Sequence, residues 1–159
     1  MGGDFPLAYM ITWTTYGSWL PGDARGWVER GTWDVQPPDS EREEAARRAM
    51  TDVAVILTRE QRDLVEATIV KQCEIRGWVL HARNARTNHV HVVVSAALDG
   101  KEVRAQLKAW CSQALSKHAG LAGRSRNGLR RWWTEKGDVE WIDDEEHLYN
   151  AIRYVTELQ

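Results

Sequence analysis

His89 and His91 stand one valine apart in the stretch TNHVHVVVSA, and three more valines follow them. In a strand, side chains alternate between faces, so the two imidazoles share one face at a spacing of roughly 6 to 7 Å. Val90, Val92 and Val94 take the other face, and Val93 continues the histidine row. Two neutral imidazoles at that spacing can converge on one divalent ion, although exposed or hydrogen-bonded histidines give the same pattern. The chain also ends on nucleophile chemistry, with Tyr149 and Tyr154 in LYNAIRYVTELQ. A helical period of ~100° per residue sets both phenols beside the apolar stripe of Leu148, Ala151, Ile152, Val155 and Leu158. Tyr154 falls about 100° to one side and Tyr149 about 120° to the other, so helix geometry leaves both open.

Charge is strongly segregated. The net charge is only -2, yet nine basic residues against two acidic ones give residues 101–136 a net of +7. Residues 137–159 reverse this, with seven acidic side chains against Arg153. A basic block of this kind suits phosphates, the plainer reading being a solvated helix face. Its candidate contacts are Lys108, Arg124, Arg126, Arg130 and Arg131. Trp132 and Trp133 follow directly, and indole rings can stack on unpaired bases. In a hairpin reading of RRWW, one of the two is a core residue.

These groups need a scaffold, and the hydrophobic pattern supplies one. AYMITWTTYG (8–17) reads as a strand, rich in β-branched and aromatic residues. Residues 18–39 form a loop dense in Gly, Pro and Asp that also carries Trp19, Trp27 and Trp33. EREEAARRAM suits a short helix, and DVAVIL fits either a strand or a continued helix. A longer helix runs from a Thr58–Gln61 capping box to Gly77, with an apolar stripe of Leu64, Val65, Ile69 and Cys73. WVLHARNA and HVHVVVSA read as antiparallel strands joined by a tight turn. A second amphipathic helix follows through Val103, Leu107, Trp110 and Ala114. LRRWWTEKGDVEWID suggests a hairpin turned at residues 136–138, and residues 143–159 a terminal helix with acidic residues in its first turn. The resulting order is an α+β fold, a ferredoxin-like βαββαβ antiparallel sheet with helices on one face and an added C-terminal helix.

At 159 residues one domain spanning 1–159 is expected. No apolar run approaches the ~20 residues that span a bilayer, and no secretory signal is evident, so no membrane partner and a cytoplasmic setting are expected. Cys73 and Cys111 have no CxxC partner and read as reduced core residues.

NHVHVVV after a strand and tight turn resembles the histidine-hydrophobe-histidine (HUH) motif of the single-tyrosine transposase superfamily, which includes the REP-associated tyrosine transposases. YMITWTTYGSWLPGDARGWV is similar to the opening of one branch of that group, and the likeness runs from Tyr9 to Gln159. It implies a metal-dependent single-stranded DNA endonuclease and strand transferase acting beside DNA hairpins through a 5′-phosphotyrosine. It also implies Mg²⁺ or Mn²⁺ on His89 and His91, and hairpin phosphates on the basic block. The family's Tyr-aliphatic pair matches RYV, making Tyr154 the nucleophile. Relatives often place Asn or Gln four residues after that tyrosine, where this chain has Leu158. Gln159 is the substitute by residue type; Glu157 is closer by helix angle, about 60° from Tyr154 against about 140°. Many relatives pair through a sheet edge, so a homodimer is an open expectation. A non-cleaving hairpin DNA-binding protein of the same fold is the alternative. A two-histidine phosphoesterase would need H-x-Ser/Thr motifs, and the chain has none. A ferredoxin-like RNA binder would show aromatic residues where this strand shows imidazoles.

Overall fold

A computed structural model of the chain describes residues 5–18, 27–28, 35–49, 54–120 and 131–157. Among them are four helices and a four-stranded antiparallel sheet. Strand β1 (Ala8–Thr14) is central, flanked by β5 (His89–Ser95) and β6 (Asp138–Ile142). Beyond β5 lies β4 (Val79–Ala85), so the order is β4-β5-β1-β6. Within the tryptophan-rich loop, β2 (Trp27–Val28) pairs with β3 (Val35–Gln36); Trp19 and Trp33 lie outside the described residues. EREEAARRAM is helical as expected, in α1 (Ser40–Ala49).

Period-two alternation decides what each face of the sheet buries. Tyr9, Ile11 and Trp13 of β1 and Val90, Val92 and Val94 of β5 form one core with α2 (Arg59–Arg76) and α3 (Gly100–His118). Fully burying an aliphatic side chain contributes ~1.5 to 3 kcal/mol, so this face carries most of the hydrophobic stabilisation. Ala8, Ala82, Val93 and Ile142 face the other way and meet Ala151 and Val155 of α4 (Glu145–Thr156). The terminal helix therefore covers the Val93 half of the histidine face.

Helix α2 starts and stops where the sequence signals it. The Thr58 hydroxyl accepts from the Gln61 N–H at 3.1 Å, and Gln61 Oε1 accepts from the Thr58 N–H at 2.9 Å. Gly77 closes the helix at φ +73°, a conformation costly for a residue with a Cβ. In α3 the buried stripe is Val103, Leu107, Cys111 and Leu115, not the expected Val103, Leu107, Trp110 and Ala114. The i, i+4 stripe turns Cys111 and Leu115 into the core, and Trp110 is left at the surface. Cys73 and Cys111 are buried free thiols; burial pushes both up, Cys73 to about 11.

Two segments differ from expectation. Residues 54–57 of DVAVIL adopt no regular element; Val55 and Leu57 are buried while their N–H groups donate to the Tyr16 and Thr87 carbonyls. Residues 131–142 are not a hairpin, because both arms lie along β1. Trp133 bridges Thr15, the Thr134 N–H donates to the Thr14 carbonyl, and pairing resumes at Asp138 opposite Thr12. Pairing both arms with β1 satisfies backbone groups that a self-paired hairpin would leave orphaned on this side of the strand. The excursion between the arms passes through Lys136 at φ +63° and Gly137 at φ +136°, where a Cβ would overlap the Thr12 carbonyl.

Candidate functional site

His89 and His91 are brought to one face of β5 as the alternation requires, with ring centroids 4.7 Å apart. Each imidazole is oriented by a neighbour through Nδ1. The His89 Nδ1 lies 2.7 Å from Asn88 Oδ1, an acceptor, so Nδ1 donates and the ring lone pair sits on Nε2. The His91 Nδ1 lies 2.8 Å from Thr12 Oγ1 on the adjacent strand, where Thr12 is its register partner. When Nδ1 donates to that hydroxyl, His91 also presents Nε2 as its lone pair. This is the arrangement by which outer groups orient metal-ligating histidines.

His91 is only 7% exposed. Burial, then the positive fields of His89 and Arg86, push its pKa down to about 4, which keeps the ring neutral. A neutral imidazole is the form that ligates a metal. The donor set thus fits a divalent ion on the two histidines.

Tyr154 reaches this face from α4, its ring centroid 5.7 Å from that of His91 in an edge-on arrangement. The helix begins where Asp144 Oδ1 accepts from the His147 N–H at 2.7 Å. Val155 and Ala151 are buried against the sheet, which fixes the rotation of α4 and aims the adjacent Tyr154 at His91. At the same turn Asn84 Nδ2 donates to the Val155 carbonyl at 2.9 Å. Tyr149 falls on the outer flank, 61% exposed with the Arg153 guanidinium 5.9 Å from its ring centre. Helix angle left these phenols equivalent, and docking separates them.

The other expected site residues fall in different places. Glu157 lies beside Arg153, Oε2 to Nε 3.1 Å, and among the described residues no three His, Cys, Asp or Glu side chains gather to hold a metal. Gln159 and Leu158 lie outside the described residues, as do Arg124, Arg126 and Arg130. Arg131 sits with its guanidinium 5.8 Å from the Tyr16 ring centre. Trp132 is a core residue at 4% exposure whose Nε1 donates to Ser116 Oγ, so its ring is not open for stacking. Trp133 is partly buried and packs edge-on against Trp13, so neither indole of the pair is a surface ring. Lys108 donates to the Thr134 carbonyl at 2.8 Å and the Lys136 carbonyl at 2.6 Å, while Arg104 donates to the Gly137 carbonyl. Burial, then Arg104, push Lys108 down to about 8. These side chains brace the excursion before β6.

Sequence reasoning missed Thr12, Asn84, Asn88 and Arg86. Asn88 adjoins the motif and was legible as an Asx side chain next to a ring nitrogen. Thr12 and Asn84 become neighbours of His91 only through strand register, which no local pattern displays. No helix among the described residues is long and apolar enough to cross a membrane. In comparisons with known proteins, no family model matches this chain and no curated protein matches it significantly.

Proposed function

We propose that this chain is a metal-dependent single-stranded DNA endonuclease and strand transferase, acting beside DNA hairpins through a covalent bond to Tyr154. The observation that carries the reading is a phenol, from a helix far along the chain, placed edge-on to His91, one of two imidazoles that share a sheet face. The order β4-β5-β1-β6, with α2 and α3 packed together on the opposite face, supports a ferredoxin-like βαββαβ plan with α4 as the added helix. The resemblance of NHVHVVV and RYV to the HUH transposases supplies the substrate class.

His89 and His91 would hold Mg²⁺ or Mn²⁺; such an ion, when bound, supplies Lewis-acid polarisation of a phosphate oxygen and orients the ester. Imidazole suits Mn²⁺ somewhat better than Mg²⁺. Asn88 sets the tautomer of His89 and Thr12 orients the His91 ring, so the geometry is set before substrate arrives. Arg86, close enough for its charge to act on His91, adds a positive field suited to a phosphate. The Tyr154 oxygen attacks phosphorus as the bond to the 3′ oxygen breaks. The phenolic proton ends on that leaving oxygen through solvent, giving a 5′-phosphotyrosine and a free 3′-hydroxyl. Because the ester is conserved, attack by another strand's 3′-hydroxyl reverses the step without ATP. A phenol is a weak nucleophile until its proton leaves, so proton loss accompanies attack.

The test is a denaturing gel of protein mixed with hairpin-flanked single-stranded DNA and Mn²⁺. Wild type and Tyr149→Phe form a covalent adduct and Tyr154→Phe does not. An adduct that persists in Tyr154→Phe refutes the nucleophile. Retarded DNA without adduct, across hairpins of varied sequence, favours the non-cleaving hairpin-binding protein. That second reading draws on Glu157 being turned to Arg153 rather than to the histidines.

A further inference from the structure

We infer that Asn84 supplies the third ligand of the metal site through its amide oxygen, in place of a residue on the terminal helix. The inference rests on the metal reading of His89 and His91 and adds the group that completes it. Asn84 is the register partner of His91 across β4 and β5, and directly opposed residues of an antiparallel pair point to the same face with Cα atoms ~5 Å apart. It is partly buried between His91 and α4, so its side chain lies in the row that runs Asn84, His91, Thr12 across three strands. The orientation of its amide is chemically fixed. The Val155 carbonyl can only accept, so the group 2.9 Å from it is the NH₂, and the other limb of the amide is the oxygen.

An amide oxygen is a neutral hard donor of the kind Mg²⁺ and Mn²⁺ accept beside imidazole. Glu157 is committed to Arg153, and among the described residues no carboxylate, thiol or third imidazole joins the pair. Position 158 is a leucine, which has no donor atom. Asn84 also ties two events together. Its N–H holds the turn of α4 that carries Tyr154 while its oxygen meets the ion, so metal occupancy and nucleophile placement share one side chain.

Mn²⁺ binding to the whole chain, read as loss of the free-ion electron paramagnetic resonance signal, tests this without DNA or catalysis. Asn84→Ala should weaken Mn²⁺ binding by at least about tenfold, the scale of losing one group from such a site. Asn84→Asp keeps an oxygen, gains a charge and loses the N–H to Val155, so it should bind Mn²⁺ at least as tightly as wild type. Gln159→Ala should leave binding unchanged. Circular dichroism confirms folding, and Asn84→Asp decides the matter if the alanine variant does not fold. Weak binding in Asn84→Asp, or unaltered binding in Asn84→Ala while His89→Ala and His91→Ala lose the ion, overturns the Asn84 assignment and leaves the histidine site standing. A wild-type chain that takes up no Mn²⁺ overturns both.

Discussion

The low basicity of His91 has a consequence for stability that is independent of any reaction. Its pKa in the fold is about 4, against an ordinary value of 6.5, because the ring is buried and lies near His89 and Arg86. Between those two values the unfolded chain binds more protons than the folded one, so lowering the pH favours unfolding. The stability contributed by a neutral His91 is therefore complete above pH 6.5 and is lost as pH falls toward 4. A gap of 2.5 pKa values corresponds to roughly 3 kcal/mol in total, of which about 2 kcal/mol disappears between pH 7 and pH 5. Urea unfolding of the metal-free chain in EDTA should show this slope in wild type. His91→Phe keeps a ring of similar shape but cannot titrate, and its stability should be flatter over the same window by about 2 kcal/mol. Choosing pH 5 to 7 keeps most carboxylates ionised, so the difference between the two chains isolates the imidazole. Parallel curves for the two proteins, or an NMR titration placing the His91 ring near 6.5, would refute the claim that burial holds it neutral.

Two further outcomes separate structural from DNA-contacting roles. Lys108→Met removes two charge-assisted bonds to the carbonyls of Thr134 and Lys136, and should cost about 2 kcal/mol in a denaturant melt. The slope of log K for single-stranded DNA against log salt should not change; a fall of ~0.7 would show that Lys108 touches a phosphate instead. Trp132→Phe loses core volume and the bond to Ser116, so roughly 2 kcal/mol of destabilisation is expected with little change in affinity for unpaired bases at a temperature where both proteins are folded. A loss of ~1 to 3 kcal/mol in binding with an unchanged melt would restore Trp132 as a stacking ring.

Much of the scaffold was legible because it follows from local physics. The capping box at Thr58 and Gln61 and the left-handed Gly77 announce α2 within a few residues. The alternation in HVHVVVS fixes which side chains of β5 share a face, since a period of two cannot place His89 and His91 apart. The excursion before β6 was misread because KGD between two apolar runs is turn chemistry wherever it occurs. Whether the arms pair with each other or with a third strand depends on β1, far away in sequence. RRWW misled in the same way: a strand would send its two indoles to opposite faces, yet both join one core, where α3 meets one through Ser116 and the other through the Lys108 carbonyl.

The histidine pair, the two terminal phenols and the segregated charge are properties of the chain itself, set by residue type and spacing. Which phenol belongs to the histidines is not, because the two flank the apolar stripe of α4 almost symmetrically. Burying Val155 and Ala151 against Val93 and Ala82 fixes the rotation of that helix, and Asn84 pins the turn beside Tyr154. Long-range packing and strand register break the symmetry, and they do so through residues 70 or so positions away from the helix they orient, |i−j| = 71 for Asn84 and Val155.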